Sequence, residues 1–277
     1  MPRVLTFLRH RQLAASSAAH QAFNLSAGRF PNAFHATIYN PSRGVAGPRE
    51  RVLHDFYSKE AKRLGYAARS AFKLQEIQKR FNVIPKGGSV LDLGCHPGAW
   101  LQVVCQSLGP SQAGGAVLGV DLQETAMPEK MCDYRVSIWQ ADARELKLRA
   151  LRDFQPKGFH TVLSDMCPAT AGNSTLDALQ SLALQEVALG IAVGGDCRPQ
   201  DSGGACGDPL QAGVLRPGGN IVMKLLEGTG SREFGAALKQ RFKRVAWFRP
   251  KATRSESKEI FLVGRGYLGH VTRDPSS

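Results

Sequence analysis

Ser89-Val90-Leu91-Asp92-Leu93-Gly94-Cys95-His96-Pro97-Gly98-Ala99-Trp100 is the stretch that decides the fold. Val90, Leu91 and Leu93 make an apolar strand. Gly94 and Gly98 let backbone approach a ligand more closely than a Cβ would allow, and Pro97 fixes the turn. Trp100-Leu101-Gln102-Val103-Val104-Cys105-Gln106-Ser107-Leu108 then carries apolar residues at helical spacing and stops at Gly109-Pro110. Strand, glycine turn and helix in this order predict an α/β domain with a mostly parallel sheet.

Further strands follow, each ending in an acid. Ala116-Val117-Leu118-Gly119-Val120 leads to Asp121, about 20 residues after the glycines, where a carboxylate suits a ribose diol. Ile138-Trp139-Gln140-Ala141 leads to Asp142, placed to accept from an adenine amino group. Thr161-Val162-Leu163-Ser164 leads to Asp165. Two lysines and another acid complete the pattern. Lys73 lies in Ser70-Ala71-Phe72-Lys73-Leu74, Lys224 ends Asn220-Ile221-Val222-Met223-Lys224, and Glu259 starts Glu259-Ile260-Phe261-Leu262-Val263. Lysines and carboxylates at the ends of apolar strands point to a paired site, because such groups are rarely buried alone.

The glycine spacing separates two ligand classes. A dinucleotide turn needs Gly-x-Gly-x-x-Gly, whereas this turn reads Asp92-Leu93-Gly94-Cys95-His96-Pro97-Gly98. An acid before the first glycine repels a pyrophosphate but suits an ammonium or a water. That favours the amino-acid end of S-adenosylmethionine, and so methyl transfer, over a nicotinamide cofactor.

Six stretches between Asp55 and Val263 then carry a resemblance. They are Tyr66–Leu74, Asp92–Trp100, Gly119-Val120-Asp121-Leu122, Ser164-Asp165-Met166-Cys167-Pro168, Leu215-Arg216-Pro217-Gly218-Gly219 and Arg254–Glu259. In these the chain resembles the RrmJ/FtsJ family of ribosomal RNA 2'-O-methyltransferases. The resemblance implies a Rossmann-like, S-adenosyl-L-methionine-dependent fold: a mostly parallel sheet with a C-terminal antiparallel strand and helices on both faces. It implies a catalytic tetrad of Lys73, Asp165, Lys224 and Glu259. Donor contacts are implied at Gly98, Trp100, Asp121, Asp142 and Asp165, and no metal. The family has two alanines where this chain has Cys95-His96, alanine at Cys167 and asparagine at Ala169.

The required chemistry assigns roles within that tetrad. A ribose hydroxyl must be aimed in line at the methyl group and lose its proton. Lys224 is the candidate base, provided its pKa is lowered, and Lys73 is the cation expected to lower it. Alternatively Lys224 stays charged, steers the hydroxyl and stabilises the developing oxyanion.

Charge supports a polyanionic partner. The 277 residues carry a net charge of +13, with a pI near 9.8. Residues 1–49 hold six arginines and no Asp, Glu or Lys, so they supply six of the +13 and leave +7 for the rest. With abundant Ala and Ser, and Leu5, Phe7 and Leu8 beside arginines, this segment reads as an organellar transit peptide, mitochondrial rather than chloroplast, or else as a basic RNA-binding arm. The remaining organisation is a methyltransferase domain over 50–265, with a flexible insertion at 194–213, and a tail over 266–277. No uninterrupted apolar run nears 18 residues, so no membrane span is expected.

Six cysteines show no Cys-x-x-Cys and no histidine pair has zinc spacing, so unpaired thiols are expected. Cys95 and Cys167 read as small-residue packing beside the donor site, and His96 as either a ligand or a tolerated loop residue. Residues 55–81 have a helical period with Leu64, Phe72, Leu74 and Ile77 inward. The outward Lys59, Lys62, Arg63, Arg69, Lys79 and Arg80 are candidates for RNA phosphates or an ordinary solvated face. Leu176–Val193 and Phe234–Phe242 are further expected helices. Ala246-Trp247-Phe248 is expected to pair with Ile260–Val263 as an antiparallel hairpin. The partner implied is ribosomal RNA or a large-subunit pre-ribosomal particle, met by a monomer. The alternatives are a tRNA or mRNA cap enzyme and a non-catalytic ribosome-assembly factor.

Overall fold

Each central strand sends successive side chains to opposite faces, and both faces are covered. In the computed structural model, which describes residues 48–169, 172–194 and 212–269 with side chains from residue 56 onward, strands β1 (Ser89–Leu93), β2 (Ala116–Asp121), β3 (Val136–Gln140), β4 (Phe159–Ser164), β5 (Leu215–Leu226), β6 (Phe242–Phe248) and β7 (Glu259–Tyr267) form one sheet in the order β3-β2-β1-β4-β5-β7-β6. The β1–β2, β2–β3, β1–β4 and β4–β5 pairs are parallel. β7 runs antiparallel to both β5 and β6. Leu91, Leu93, Leu118, Val120, Ile221, Met223 and Leu262 enter one core, while Val90, Val117, Val222, Phe261 and Val263 enter the other. This two-sided burial explains the near-continuous apolar runs of the central strands.

Helices α1 (Pro48–Leu64), α2 (Ala71–Phe81) and α3 (Ala99–Leu108) cover the second of these faces. Helices α4 (Leu148–Phe154), α5 (Ser174–Val193) and α6 (Ser231–Lys239) cover the first. The expected α/β class, its antiparallel C-terminal strand and its two helical layers are all present. Among the described residues α5 is long and apolar enough to cross a membrane, but half of that stretch is buried, with Ala188, Leu189, Ile191, Ala192 and Val193 in the core.

Several boundaries differ from the sequence reading. The helical period over 55–81 is not one helix: α1 ends before Gly65, whose φ of +81° turns the chain, and α2 starts six residues later. Leu64 is exposed rather than inward, because it falls at that break. Leu215-Arg216-Pro217-Gly218-Gly219 is not a turn before β5 but its first part. The ladder with β4 jumps from Phe159↔Leu215 to Thr161↔Asn220, so the extra residues bulge out, with Gly218 at φ +80°. β5 continues two residues past Lys224. The last expected helix ends at Lys239, and Phe242 already belongs to β6. β7 reaches Tyr267, two residues beyond the expected domain end. The hairpin pairing of Trp247 and Phe248 with Leu262 and Phe261 is present. Residues 1–47, 170–171, 195–211 and 270–277, which contain all but the last two residues of the expected arm, most of the insertion and most of the tail, lie outside the described residues, and Pro48 and Arg49 belong to α1. Gly194 and Ala212, near the two ends of the expected insertion, meet in an antiparallel bridge.

Candidate functional site

Strand parity places the site. Leu163, Val222 and Phe261 face the α1–α3 layer. Two positions further on the same side lie Asp165, Lys224 and, back along β7, Glu259. α2, packed on that face, brings Lys73. The four side chains therefore meet across more than 180 residues of sequence. Lys73 Nζ is 2.6 Å from Glu259 Oε2. Lys224 Nζ is 2.9 Å from Asp165 Oδ1, 4.0 Å from Glu259 Oε1, and donates to the Asp165 main-chain oxygen at 2.6 Å. Lys224 is 5% exposed, so its charge is held by these partners rather than by water.

The charge state differs from the sequence expectation. Burial pulls Lys224 down, but Asp165, Cys167 and Glu259 outweigh it and hold the ammonium above its ordinary pKa. Lys73 does not lower it, because Lys73 is spent on Glu259. Burial likewise raises Glu259, but Lys73 and then Lys224 bring its carboxyl below the ordinary value. The resting cluster is two ion pairs in contact.

The glycine turn abuts this cluster. Asp165 N–H donates to the Leu93 carbonyl at 3.0 Å. A Cβ on Gly94 would stand 2.8 Å from the Met166 nitrogen, and one on Gly98 2.6 Å from Pro128 Cγ. Both glycines have positive φ (+83° and +100°), so the turn is closed to other residues on strain as well as space. Gly98 precedes α3, whose first amide groups have no partner within the helix. Trp100 is buried at 2% exposure, donates from Nε1 to the Ser70 carbonyl at 3.1 Å and packs 5.9 Å from the Phe261 ring. Its indole therefore ties α3 to α2, and only its main chain remains to meet a ligand.

Acids ring the turn. Asp121 accepts from His96 N–H at 2.9 Å and Gln123 N–H at 2.8 Å, which braces the turn against β2. Asp142 lies beyond β3 and is gripped by the exposed Arg144 at 2.5 Å. Cys95 is buried with its sulfur over Gly119, where a Cβ would come within 2.9 Å, so it packs as expected. Cys95, Cys105, Cys132 and Cys167 are free thiols. The His96 ring stands 3.2 Å from Thr125 Oγ1 at an exposed position. Of the candidate phosphate contacts, Arg63 is paired with Glu60, Arg80 lies over the Phe81 and Phe248 rings, and Arg69 donates to the Ala252 carbonyl.

Asp92 is the residue whose importance the sequence reading understated. It is fully buried and neither carboxyl oxygen has a hydrogen-bond partner. Burial, then Asp165 and Asp121, hold its pKa well above the ordinary range, so it rests as the neutral acid. The signal was an acid inside an otherwise apolar parallel strand. Asp121 and Asp165 beside the glycine turn favour a cationic ligand and oppose a phosphate. The raised pKa also fixes the sign of a stability effect. Between the ordinary carboxyl value and the folded one, the unfolded chain has lost the proton and the folded chain has kept it, so stability falls as pH rises. Asp92→Asn removes that titration. Its stability relative to the native chain is expected to grow with pH, by up to about 1.4 kcal/mol per unit. Urea unfolding at pH 5, 6 and 7 without ligand checks this; parallel curves would mean that Asp92 is ionised.

The chain is similar to known proteins in sequence and in fold. The family described as FtsJ-like methyltransferase matches residues 66–267. A relative named ribosomal RNA large subunit methyltransferase E from Desulforapulum autotrophicum is 36% identical over 227 residues, covering 81% of this chain and 98% of the relative. Its namesake in Caulobacter vibrioides is 34% identical over 242 residues, covering 87% and 95%. A crystal structure described as a ribosomal RNA methyltransferase from Plasmodium falciparum shares the fold, with a TM-score of 0.56, 23% identity, and coverage of 74% of this chain and all of that one.

Proposed function

The chain belongs to the FtsJ-like methyltransferase family, and from that premise we propose that it methylates a ribose 2'-hydroxyl of large-subunit ribosomal RNA inside an organelle. S-adenosylmethionine is the methyl donor of this family, and the residues fit it. Gly94 and Gly98 leave room for close approach, and the Asp121 and Asp165 carboxyl groups beside the turn supply the surroundings that a sulfonium and an ammonium require. Asp121 would hold the ribose diol, Asp142 the adenine side once Arg144 swings aside, and the main chain at Gly98 and Trp100 the remaining polar edge. Asp121→Ala is expected to weaken donor binding by roughly ten- to a hundredfold, the loss of hydrogen bonds to a charged group. Calorimetric titration of the donor checks it, and unchanged affinity would remove Asp121 from the donor site.

The observation that carries the reading is Lys224, buried between Asp165 and Glu259 at the edge of the glycine turn. When bound, the donor supplies an electrophilic methyl group on a cationic sulfur, and a positive charge brought to this pocket favours a neutral amine at Lys224. Lys224 Nζ then takes the 2'-hydroxyl proton as the oxygen attacks. Asp165 and Glu259 orient the amine and hold the resulting ammonium, and Lys73 keeps Glu259 ionised and in place.

Two features support the finer assignments. The ribosomal relatives are covered almost end to end by about four-fifths of this chain. Residues 1–49 carry arginine without any acid, as organellar presequences do. The deciding experiment incubates the protein and labelled donor with organellar large-subunit rRNA, free and in its pre-ribosomal particle, and maps the methyl group. Label on a 2'-oxygen of that rRNA supports the proposal. Label only on tRNA or on a base overturns it. In parallel, residues 1–49 fused to a fluorescent protein are expected to carry it into mitochondria, and a fusion left outside organelles would overturn the location.

A further inference from the structure

One exposed aromatic side chain on α1 is joined through a second ring to the ring of the residue preceding Lys73. Phe56, midway along α1, is 56% exposed. Its ring stands edge-on to Tyr57, with centroids 5.5 Å apart at 74°. Tyr57 in turn packs against Phe72 at 5.4 Å, and the Arg69 guanidinium lies 5.6 Å from the Tyr57 ring centre. Arg69 is fixed by donating to the Ala252 carbonyl at 2.8 Å, and the Ala252 N–H donates to Glu76 at 2.9 Å. The ledge is therefore rigid from behind and bare in front.

Its position gives it meaning. Phe72, which supports the ledge, immediately precedes Lys73, and Lys73 is 2.6 Å from Glu259. α1, which carries Phe56, also exposes Lys62 and Arg63, the latter paired with Glu60. An exposed ring backed by a second ring and a guanidinium, with cations alongside, matches the way unpaired nucleobases are held: by stacking on aromatic faces while cations follow the phosphates. A purely basic face would hold a duplex through its phosphates and would not need Phe56.

We propose that Phe56, supported by Tyr57 and Arg69, stacks a base of unpaired RNA near the nucleotide to be methylated, and so anchors that strand on the enzyme. This rests on the RNA methyltransferase reading above and adds the form of its substrate: a single-stranded segment next to the target ribose.

Steady-state methylation of the active RNA tests it, with Phe56→Ala, Phe56→Leu and Phe56→Trp. Loss of stacking on one base corresponds to roughly five- to a hundredfold in affinity. Phe56→Ala and Phe56→Leu are expected to raise KM for RNA by that factor, leaving kcat at saturating RNA, donor affinity and the melting temperature in place. Phe56→Trp is expected to keep or lower KM. Unchanged KM in Phe56→Ala would overturn the proposal, and so would full rescue by leucine, which packs but cannot stack. Direct binding of an unpaired oligonucleotide and of its duplex, measured with the same variants, separates the two readings. If native protein methylates no RNA, the activity assignment fails. The ledge stands only if Phe56→Ala still weakens binding of the unpaired strand and not of the duplex.

Discussion

Lys224→Ala is expected to abolish methyl transfer, lowering kcat by about a thousandfold, within the range for removing a positioned acid–base group. Donor affinity is expected to stay within a few-fold, because of the proposed donor contacts (Gly98, Trp100, Asp121, Asp142 and Asp165) only Asp165 pairs with Lys224. Single-turnover transfer from labelled donor, with donor titration alongside, reads both. The ion pairs set the pH dependence. Lys224 rests as an ammonium held above its ordinary pKa, so its neutral fraction rises tenfold per pH unit below that value. A base therefore requires kcat to climb with pH across the neutral and mildly alkaline range. Lys224→Arg keeps the charge but cannot give up a proton. It is expected to be as inactive as the alanine variant. A flat pH profile together with substantial activity in Lys224→Arg would make Lys224 a steering cation instead.

Phe261→Ala is expected to cost roughly 3–5 kcal/mol, a large part of the ~5–15 kcal/mol that holds a typical domain. Phe261 is fully buried on β7, lies opposite Lys224 on β5 and Phe248 on β6, and packs against Trp100. Removing its ring opens a cavity where sheet, α2 and α3 meet. Urea unfolding should show a lower midpoint at an unchanged slope. Because Glu259 lies two residues away on the same face, transfer rate is expected to fall as well, at temperatures where the variant is still folded. A midpoint shift below about 1 kcal/mol would show that the layer relaxes to fill the gap.

Much of the fold and the site was legible because its signals are local. Apolar runs ending in Asp121, Asp142 and Asp165 report strands whose carboxyl ends face one rim of the sheet. The Gly94–Gly98 turn is written in residue types that only a close backbone approach requires. Lys73, Lys224 and Glu259 could be named from their settings, and the structure brings them within salt-bridge reach. Less local matters went astray. The helical period over 55–81 hid the break at Gly65, since both helices pack on the same core. The turn-like Leu215–Gly219 became a bulged strand because β4 supplies a ladder for it.

By itself, then, the sequence determined the α/β class, the order of strands and acids, and the four ionisable residues of the site, all of which follow from side-chain period and residue type over short windows. Only the tertiary structure decided that β7 inserts between β5 and β6, that Lys73 pairs with Glu259 and leaves Lys224 a protonated amine, that Asp92 is sealed from water, and that Phe56 is left bare on α1. Those outcomes depend on which charges and rings come together from segments up to 186 residues apart. Burial and pairing energies are set by that company, not by the residue and its neighbours in the chain.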